Sequence, residues 1–310
     1  MKANILVKTE ALSQQEWLNY RKQGIGGSDA AALCGLNPYK SPMLLWLEKT
    51  GQKEPVPAEE PAYWGKALEP LIREEFSKRE KKKIQTVPAI IQHPQYPFML
   101  ANIDGIIIDP VEGNGILEIK TTSAYRSHRW EDKVPNEFMI QLQHYLAVTG
   151  LSYAYLALLI GGNEYKSFYI ARDQSFITVL IGLERQFWSL VESKTPPPLD
   201  GSAATTEFIK ELHPQSNGES ITLPEEALHW ISSYQDALEQ EKKIKEHKDQ
   251  AANHLKKMLG DAERGMIAGR KVSWKSIQSE KLNTHELKKE EPDSYSRYIQ
   301  NSTYRRFTIR

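Results

Sequence analysis

The segment ANIDGIIIDPVEGNGILEIKTTS, residues 101–123, contains two apolar runs on either side of a short turn. The turn, Asp109–Gly113, contains both Pro and Gly and predicts a β-hairpin. If the strands pair symmetrically about this turn, Asp104 lies directly opposite Glu118, with Cβ atoms about 4.5–5.5 Å apart. Lys120 shares that face because side chains alternate along a strand. The segment therefore predicts a strand pair that presents two carboxylates and an ammonium group together.

Two carboxylates at that distance repel each other unless a cation or a proton lies between them. Oxygen ligands in this geometry suit Mg²⁺, with Mn²⁺ as a substitute, and such an ion polarises a phosphate and generates a hydroxide nucleophile. Lys120 could orient or deprotonate the attacking water and balance the developing charge. The alternative is an ordinary salt-bridged strand pair with a solvated face.

Near the N-terminus, residues 21–29 read RKQGIGGSD and combine a basic start with three glycines and a predicted helix start. Glycines such as Gly27 permit close backbone approach, and free N–H groups at the start of a helix bind anions. Ser28 can donate to a phosphate, and Arg21 can bind it with two hydrogen bonds. A simple turn with Ser28 as the helix N-cap is the alternative. The spacing is not that of a Walker loop, which disfavours an NTPase.

Two further predicted helices carry polar residues of interest. Glu69 lies on a helix predicted over residues 63–79, at the edge of an apolar stripe, where it is either a surface carboxylate or part of a site. On a helix predicted over residues 136–148, Gln141 and Tyr145 are four residues apart and share a face. They either line a site or place Tyr145 in the core with Gln141 at its rim.

These blocks resemble a known group of proteins. Asp, a spacer and then Glu-x-Lys on a hairpin resemble the signature of the restriction-endonuclease-like PD-(D/E)XK nucleases. More narrowly, GIGGSDAAALCG, ALEPLIREEF and LEIKTT look like the YqaJ-type viral recombinases, which are similar to the lambda-type 5′-to-3′ exonucleases. The resemblance covers roughly residues 13–200 and implies an α/β fold, in which helices flank a mixed sheet.

The resemblance also implies a role for each matching residue. The metal ligands would be Asp104, Glu118, the backbone carbonyl of Ile119, and Glu69. Lys120 would position the attacking water, and Gln141 would assist it. The terminal 5′-phosphate and the adjoining DNA would be held by Arg21, Ser28, Lys40, Gly27 and Tyr145.

The activity that the resemblance implies is that of a metal-dependent 5′-to-3′ exonuclease of phage or prophage recombination. It would degrade one strand of double-stranded DNA and leave 3′ single strands for an annealing protein. Because lambda-type relatives are ring trimers, the resemblance favours a homotrimer. Two alternatives stay open: a structure-specific or single-strand endonuclease of the same fold, and a non-catalytic DNA-binding recombination accessory. The intact Asp…Glu-x-Lys pattern disfavours the second.

The segment 194–218, with three consecutive prolines, predicts a domain boundary. We expect a nuclease domain over residues 1–200 and a smaller helical-plus-strand accessory domain over residues 201–310. Strands are predicted at 87–91, 98–101, 103–108, 115–121, 153–160 and 165–171 in the first domain. The second is predicted to contain a long polar helix or helical hairpin at 224–259 and strands at 266–268, 271–276 and 304–309.

Charge is balanced over the chain but unevenly distributed. The 310 residues include 40 basic and 40 acidic side chains, yet residues 241–310 contain 17 basic against 10 acidic. That surplus fits contact with DNA or with an annealing partner. The single cysteine excludes an internal disulfide. Without an apolar run of membrane-spanning length or an evident export signal, we expect no membrane association and a cytoplasmic location.

Overall fold

The computed structural model describes residues 3–55, 60–131 and 133–309. The chain divides into two compact units, Met1–Leu212 and His213–Arg310. Within the described ranges, no helix is both long and apolar enough to cross a bilayer.

The first unit alternates helices and strands. Its strands are β1 (Asn4–Lys8), β2 (Lys83–Gln85), β3 (Ala89–Gln92), β4 (Leu100–Ala101), β5 (Gly105–Ile108), β6 (Gly115–Thr122), β7 (Tyr153–Ile160) and β8 (Glu164–Ala171). Its α-helices are α1 (Gln14–Lys22), α2 (Gly27–Leu33), α3 (Pro42–Lys49), α4 (Glu60–Glu80), α5 (Asn136–Thr149), α6 (Gln174–Glu192) and α7 (Ala203–Leu212). A 3₁₀ helix, Ala124–Trp130, separates β6 from α5.

The central sheet is mixed, with strand order β2-β5-β6-β7-β8. Strands β6 and β7 run parallel, and α5 makes the crossover that a parallel pair requires. The other neighbours in this sheet are antiparallel. The predicted hairpin register is confirmed, because Gly105 pairs with Leu117 and Ile107 with Gly115. This register brings Asp104, just before β5, opposite Glu118. Strands β1, β3 and β4 form a separate antiparallel sheet.

Helices cover both faces of the central sheet. On one face Leu142 and Leu146 of α5 join a core with Ile116 and Leu156, and on the other Ile72 and Phe76 of α4 pack with Leu117 and Ile119. Because neighbouring residues of β6 point in opposite directions, its apolar Leu117 and Ile119 face α4 while Glu118 faces α5. The mixed sheet flanked by helices is the predicted fold class.

Several predicted elements differ from the structure. Strands β1 and β2 were not expected; both are short edge strands whose partners are distant in sequence. Residues 304–309, predicted as a strand, form no regular structure. Helix α4, predicted over residues 63–79, begins at Glu60 and continues through Pro70 to Glu80. Its apolar stripe is narrower than predicted, because Trp64 and Leu71 are more than half exposed.

The second unit is built around one long helix, α8 (Glu226–Leu259). The hairpin of β9 (Arg264–Ile267) and β10 (Arg270–Ser273) follows it, and its register pairs Lys271 with Met266. Two short helices, α9 (Thr284–Glu290) and α10 (Pro292–Tyr298), come next.

Candidate active site

The hairpin residues form a compact polar cluster on the sheet. Asp104 Oδ2 accepts the backbone N–H of Ile119 at 2.7 Å. Glu118 lies in the middle of β6 and is buried, and its Oε1 accepts from Lys120 Nζ at 2.6 Å and from Gln141 Nε2 at 2.7 Å. The structure therefore brings together Asp104, Glu118, Lys120 and Gln141, which the sequence predicted as catalytic residues.

The charges in this cluster are strongly coupled. Burial, reinforced by the nearby Asp104 carboxylate, raises the pKa of Glu118 to about 8 against the opposing effect of Lys120. Burial also raises the pKa of Asp104, although Lys120 and the Ile119 N–H oppose it. For Lys120, burial disfavours the charged form, but Glu118 and Asp104 outweigh it and the pKa is raised. The ammonium group of Lys120 thus offsets only part of the repulsion between the Asp104 and Glu118 carboxylates.

The donor set fits a hard divalent cation. Glu118 Oε2 is buried and has no hydrogen-bond partner among the described residues. A buried carboxylate oxygen without a partner is costly unless a cation or proton joins it. Asp104, immediately before the adjoining strand β5, carries a second hard oxygen of the kind that Mg²⁺ prefers. The cluster therefore offers the beginning of a metal site.

Glu69 and Ile119 occupy less direct positions. Glu69 forms an ion pair with Arg73 one turn along α4, while burial and Asp104 raise the pKa of its carboxyl. Within the described ranges, no three His, Cys, Asp or Glu side chains are already grouped to hold a metal ion. Ile119 enters the site through its N–H group. Metal ligation by Glu69 and by the Ile119 carbonyl stays a prediction.

The glycine-rich segment forms a tight entry into α2. The helix begins at Gly27 with Gly26 as its N-cap, and Asp29 Oδ2 accepts the Gly26 N–H at 3.0 Å. Ser28 therefore lies within the first turn, and the alternative in which Ser28 is the N-cap is wrong. Because Asp29 closes the turn, the exposed Ser28 hydroxyl remains available, 3.4 Å from the Arg21 guanidinium.

Three cations surround the buried Asp29 carboxylate. Arg21 approaches it at 3.2 Å, Lys49 at 2.8 Å and Lys40 at 4.0 Å. Burial alone would raise the pKa of Asp29, but Lys49, Arg21 and Lys40 hold it well below its usual range. Lys40 also contacts Glu48 at 2.5 Å. The predicted phosphate ligands Arg21, Ser28 and Lys40 thus lie in one basic cluster.

The sequence predictions missed Asp29 and Lys49 as members of this cluster. Asp29 carried a usable signal, because an acidic residue three positions after Gly26 fits the third position of a helix N-terminus. Lys49 carried none, since it lies at the end of α3 and reaches Asp29 only through folding.

Gly27 joins the basic cluster to the carboxylate cluster. A Cβ atom at Gly27 would lie 2.6 Å from the Tyr145 ring and 2.8 Å from Gln141 Cγ, so α2 approaches α5 at a distance that only glycine permits. Gln141 Nε2 in turn donates to Tyr145 Oη at 3.0 Å and to Glu118. The predicted position of Gln141 and Tyr145 on one helix face is confirmed. The contact between α2 and α5 lies between the two clusters.

His144, which the sequence analysis did not include in the site, lies in the core. Its ring is fully buried between Glu184 Oε1 at 2.7 Å and the Leu100 carbonyl at 2.8 Å. This buried pair ties α5 to α6 and β4 and takes no part in the two clusters.

The mixed sheet, with its acidic hairpin facing a crossover helix, defines the fold of the PD-(D/E)XK nucleases. Among solved structures, the chain is similar to an alkaline exonuclease, LHK-Exo, from Laribacter hongkongensis. The TM-score is 0.50 at 19% identity, over 64% of this chain and 97% of that chain. The structure of LHK-Exo in complex with dAMP gives the same TM-score at 20% identity and the same coverage. At this identity the likeness establishes the fold.

The sequence comparisons establish the family. A family model for the YqaJ-like viral recombinase domain matches residues 16–152. The chain is 39% identical to a Bacillus subtilis (strain 168) protein called "Uncharacterized protein YqaJ". The alignment spans 318 residues and covers 100% of this chain and 98% of that protein. The chain belongs to the YqaJ family.

Proposed function

We propose that this protein is a metal-dependent 5′-to-3′ exonuclease that acts on double-stranded DNA and leaves 3′ single-stranded overhangs. The observation that carries the proposal is the Asp104–Glu118–Lys120 cluster, in which one Glu118 oxygen has no partner among the described residues. The contact between α2 and α5 at Gly27 brings this cluster close to the basic cluster. The fold and the family support the same class of activity.

Asp104 and Glu118, with Glu69 and the Ile119 carbonyl in support, would hold Mg²⁺ or Mn²⁺. When bound, that ion would supply positive charge at the scissile phosphate and a more acidic water. Gln141 fixes Glu118 through Oε1, and Oε2 has no hydrogen-bond partner among the described residues. Lys120, about a quarter exposed, can exchange its contact with Glu118 for one with the attacking water or the phosphate.

The basic cluster would bind the terminal 5′-phosphate. Arg21 and Lys40 are each about a quarter exposed, while Lys49 is almost completely buried. We therefore assign phosphate contact to Arg21, Lys40 and the Ser28 hydroxyl. Asp29 and Lys49 hold these groups in place, and Gly27 and Tyr145 fix the distance to Glu118. Such selection of a chain end distinguishes an exonuclease from an endonuclease.

The partners in this proposal are double-stranded DNA and a single-strand annealing protein. A homotrimer would enclose the duplex and retain the enzyme between successive cuts. The basic surplus of residues 241–310 would hold DNA through its backbone or contact the annealing protein.

One assay tests the proposal against its alternatives. Duplexes labelled at either end, with a 5′-phosphate or a 5′-hydroxyl, are incubated with Mg²⁺, Ca²⁺ or EDTA. We expect loss of label from phosphorylated 5′ ends with Mg²⁺ and none with EDTA. Cutting of a closed circular duplex would instead indicate an endonuclease. DNA binding without cleavage under any metal condition would indicate a non-catalytic accessory.

A further inference from the structure

Helix α8 presents an apolar seam that its own unit leaves exposed. The helix has 34 residues, about 51 Å of length, and none of them is buried. Trp230, Ile244 and Met258 are 65%, 69% and 79% exposed. A helix of this length with an uncovered apolar stripe normally gains its stability from a packing partner.

The seam has the seven-residue repeat of a coiled coil at one core position, and the other core position holds Tyr234, Glu241, Lys248 and Leu255. Apolar residues recur every seven positions along the whole helix, which is the repeat that keeps one stripe facing a partner helix. We define the α8 seam as Trp230, Ala237, Ile244, Ala251 and Met258, flanked by Ile231, Leu238, Ala252 and Leu259. At its N-terminal end Phe307 packs edge-to-face on Tyr234, yet Trp230 remains mostly exposed. The seam therefore fits another helix of the same repeat.

The distribution of charge along α8 indicates which helix pairs with it and in which direction that helix runs. Residues 226–241 contain four acidic side chains and no Lys or Arg, whereas residues 242–259 contain six lysines and two acidic residues. The helix dipole favours such a bias only within the first and last turns. Here the charges extend through the middle of the helix. A second copy of α8 running antiparallel would place each acidic half against a basic half.

Two charges within the seam support the same arrangement. Glu241 and Lys248 lie on the seam face and are two turns, about 10.5 Å, apart along the helix. In a parallel pair Glu241 would meet Glu241, and Lys248 would meet Lys248. In an antiparallel pair centred on Ile244, Glu241 of each copy lies opposite His247 of the other and one residue from its Lys248. Trp230 then meets Met258, and Ala237 meets Ala251.

We infer that α8 pairs with α8 of a second copy of this chain as an antiparallel coiled coil centred on Ile244. This inference is independent of the proposed nuclease activity, because it uses no residue of the first unit. It predicts an even number of chains in the assembly. If catalytic units also form trimers, α8 joins two such rings.

The mass of the full-length protein tests the pairing. Ile244→Glu sets two carboxylates against each other at the centre of the pair, and we expect the native molar mass by light scattering to halve. Lys243→Glu is the matched control, since it introduces the same residue on the opposite side of the helix and should leave the mass unchanged. An unchanged mass for Ile244→Glu overturns the inference.

Disulfide trapping tests the direction. In a Cys34→Ser background, chains with Ala237→Cys and chains with Ala251→Cys are given different tags and co-expressed. Antiparallel pairing predicts a mixed disulfide between the two chains and none in a sample that contains Ala237→Cys alone. A disulfide in the Ala237→Cys sample without a mixed product would establish parallel pairing and reject the proposed arrangement.

Discussion

The Gln141 amide donates to one oxygen of the Glu118 carboxylate, at 2.7 Å, while the other oxygen is buried and has no partner among the described residues. A fixed carboxylate with one uncompensated oxygen is poorly placed for stability and well placed to bind a cation. The effect of this oxygen on the stability of the fold and on cation binding can be measured.

The first prediction concerns the pH dependence of stability without metal. The pKa of Glu118 is about 8 in the folded protein, against an ordinary value of 4.5, so the folded state binds a proton that the unfolded state releases. Stability is therefore fully present below about pH 4.5 and falls as pH rises towards 8, by up to about 1.4 kcal/mol per pH unit.

Glu118→Gln removes that titration, so in EDTA the variant should unfold at a higher temperature than the wild type at pH 8. Adding Mg²⁺ should raise the Tm of the wild type and not that of Glu118→Gln. Thermal unfolding followed by circular dichroism measures both effects. Equal Tm values for the two proteins in EDTA across pH 5–8 would contradict an unusual Glu118.

The second prediction concerns cleavage. Glu118→Ala and Lys120→Ala should each lower the rate of DNA hydrolysis by ~10²–10⁴, because each removes an electrostatic or proton-transfer contribution. Lys78→Ala, at an exposed site on α4, is the control and should cleave at the wild-type rate. Single-turnover assays on duplex DNA give the rates. Near-wild-type cleavage by either site variant would show that the hairpin is not catalytic.

A third prediction separates end recognition from chemistry. Arg21→Ala and Ser28→Ala each remove a hydrogen-bonding group that would contact the terminal phosphate. Loss of a charged hydrogen bond costs roughly 1.5–3 kcal/mol, or about ten- to a hundred-fold in rate. That loss should appear on 5′-phosphorylated ends and be much smaller on 5′-hydroxyl ends. Equal losses on both kinds of end would remove this cluster from end recognition.

The fourth prediction uses two glycines of different surroundings. Gly27→Ala forces a Cβ against Tyr145 and Gln141 and should destabilise the fold by roughly 1–3 kcal/mol, as overpacked cores do. Gly182→Ala is the control. A Cβ there meets nothing within 4 Å, and in helix α6 alanine should stabilise by about 0.5–1 kcal/mol. Urea unfolding of both variants measures the difference; destabilisation of both by the same amount would contradict the close α2–α5 contact.

A fifth prediction concerns Lys49, which is almost completely buried against Asp29. Lys49→Met keeps the length of the side chain but leaves the Asp29 carboxylate with weaker compensation, so we expect a loss of about 3 kcal/mol in unfolding free energy. The double variant Lys49→Met with Asp29→Asn removes both charges and should recover part of that loss. A double variant less stable than the single one would show that the ion pair is not the source of the effect.

The sequence predicted the hairpin and its register because both depend on local information. Two apolar runs and the turn between them, which contains Pro and Gly, fix which residues pair, and the pairing alone brings Asp104 to Glu118. The contact between Gln141 and Tyr145 was predictable for the same reason, since residues four apart on a helix share a face.

The features that the sequence did not predict depend on tertiary structure. Lys49 reaches Asp29 only because α3 packs beside α2, and no local pattern marks it. Strand β1 pairs with β3 more than 80 residues away in sequence, so its five residues carry little signal of their own. The predicted strand at 304–309 failed for the opposite reason: its alternation is local, but a strand needs a partner.

The close approach at Gly27 has a consequence for the products of digestion. Because two packed helices, not a flexible loop, separate the Arg21–Ser28–Lys40 cluster from Glu118, the proposed mechanism would hold a bound 5′ terminus at a fixed distance from the point of cleavage. Such a fixed distance would set how many nucleotides leave in each cycle of the proposed exonuclease. A shift of α2 against α5 would then change the length of the released fragments before it changed the rate of their release.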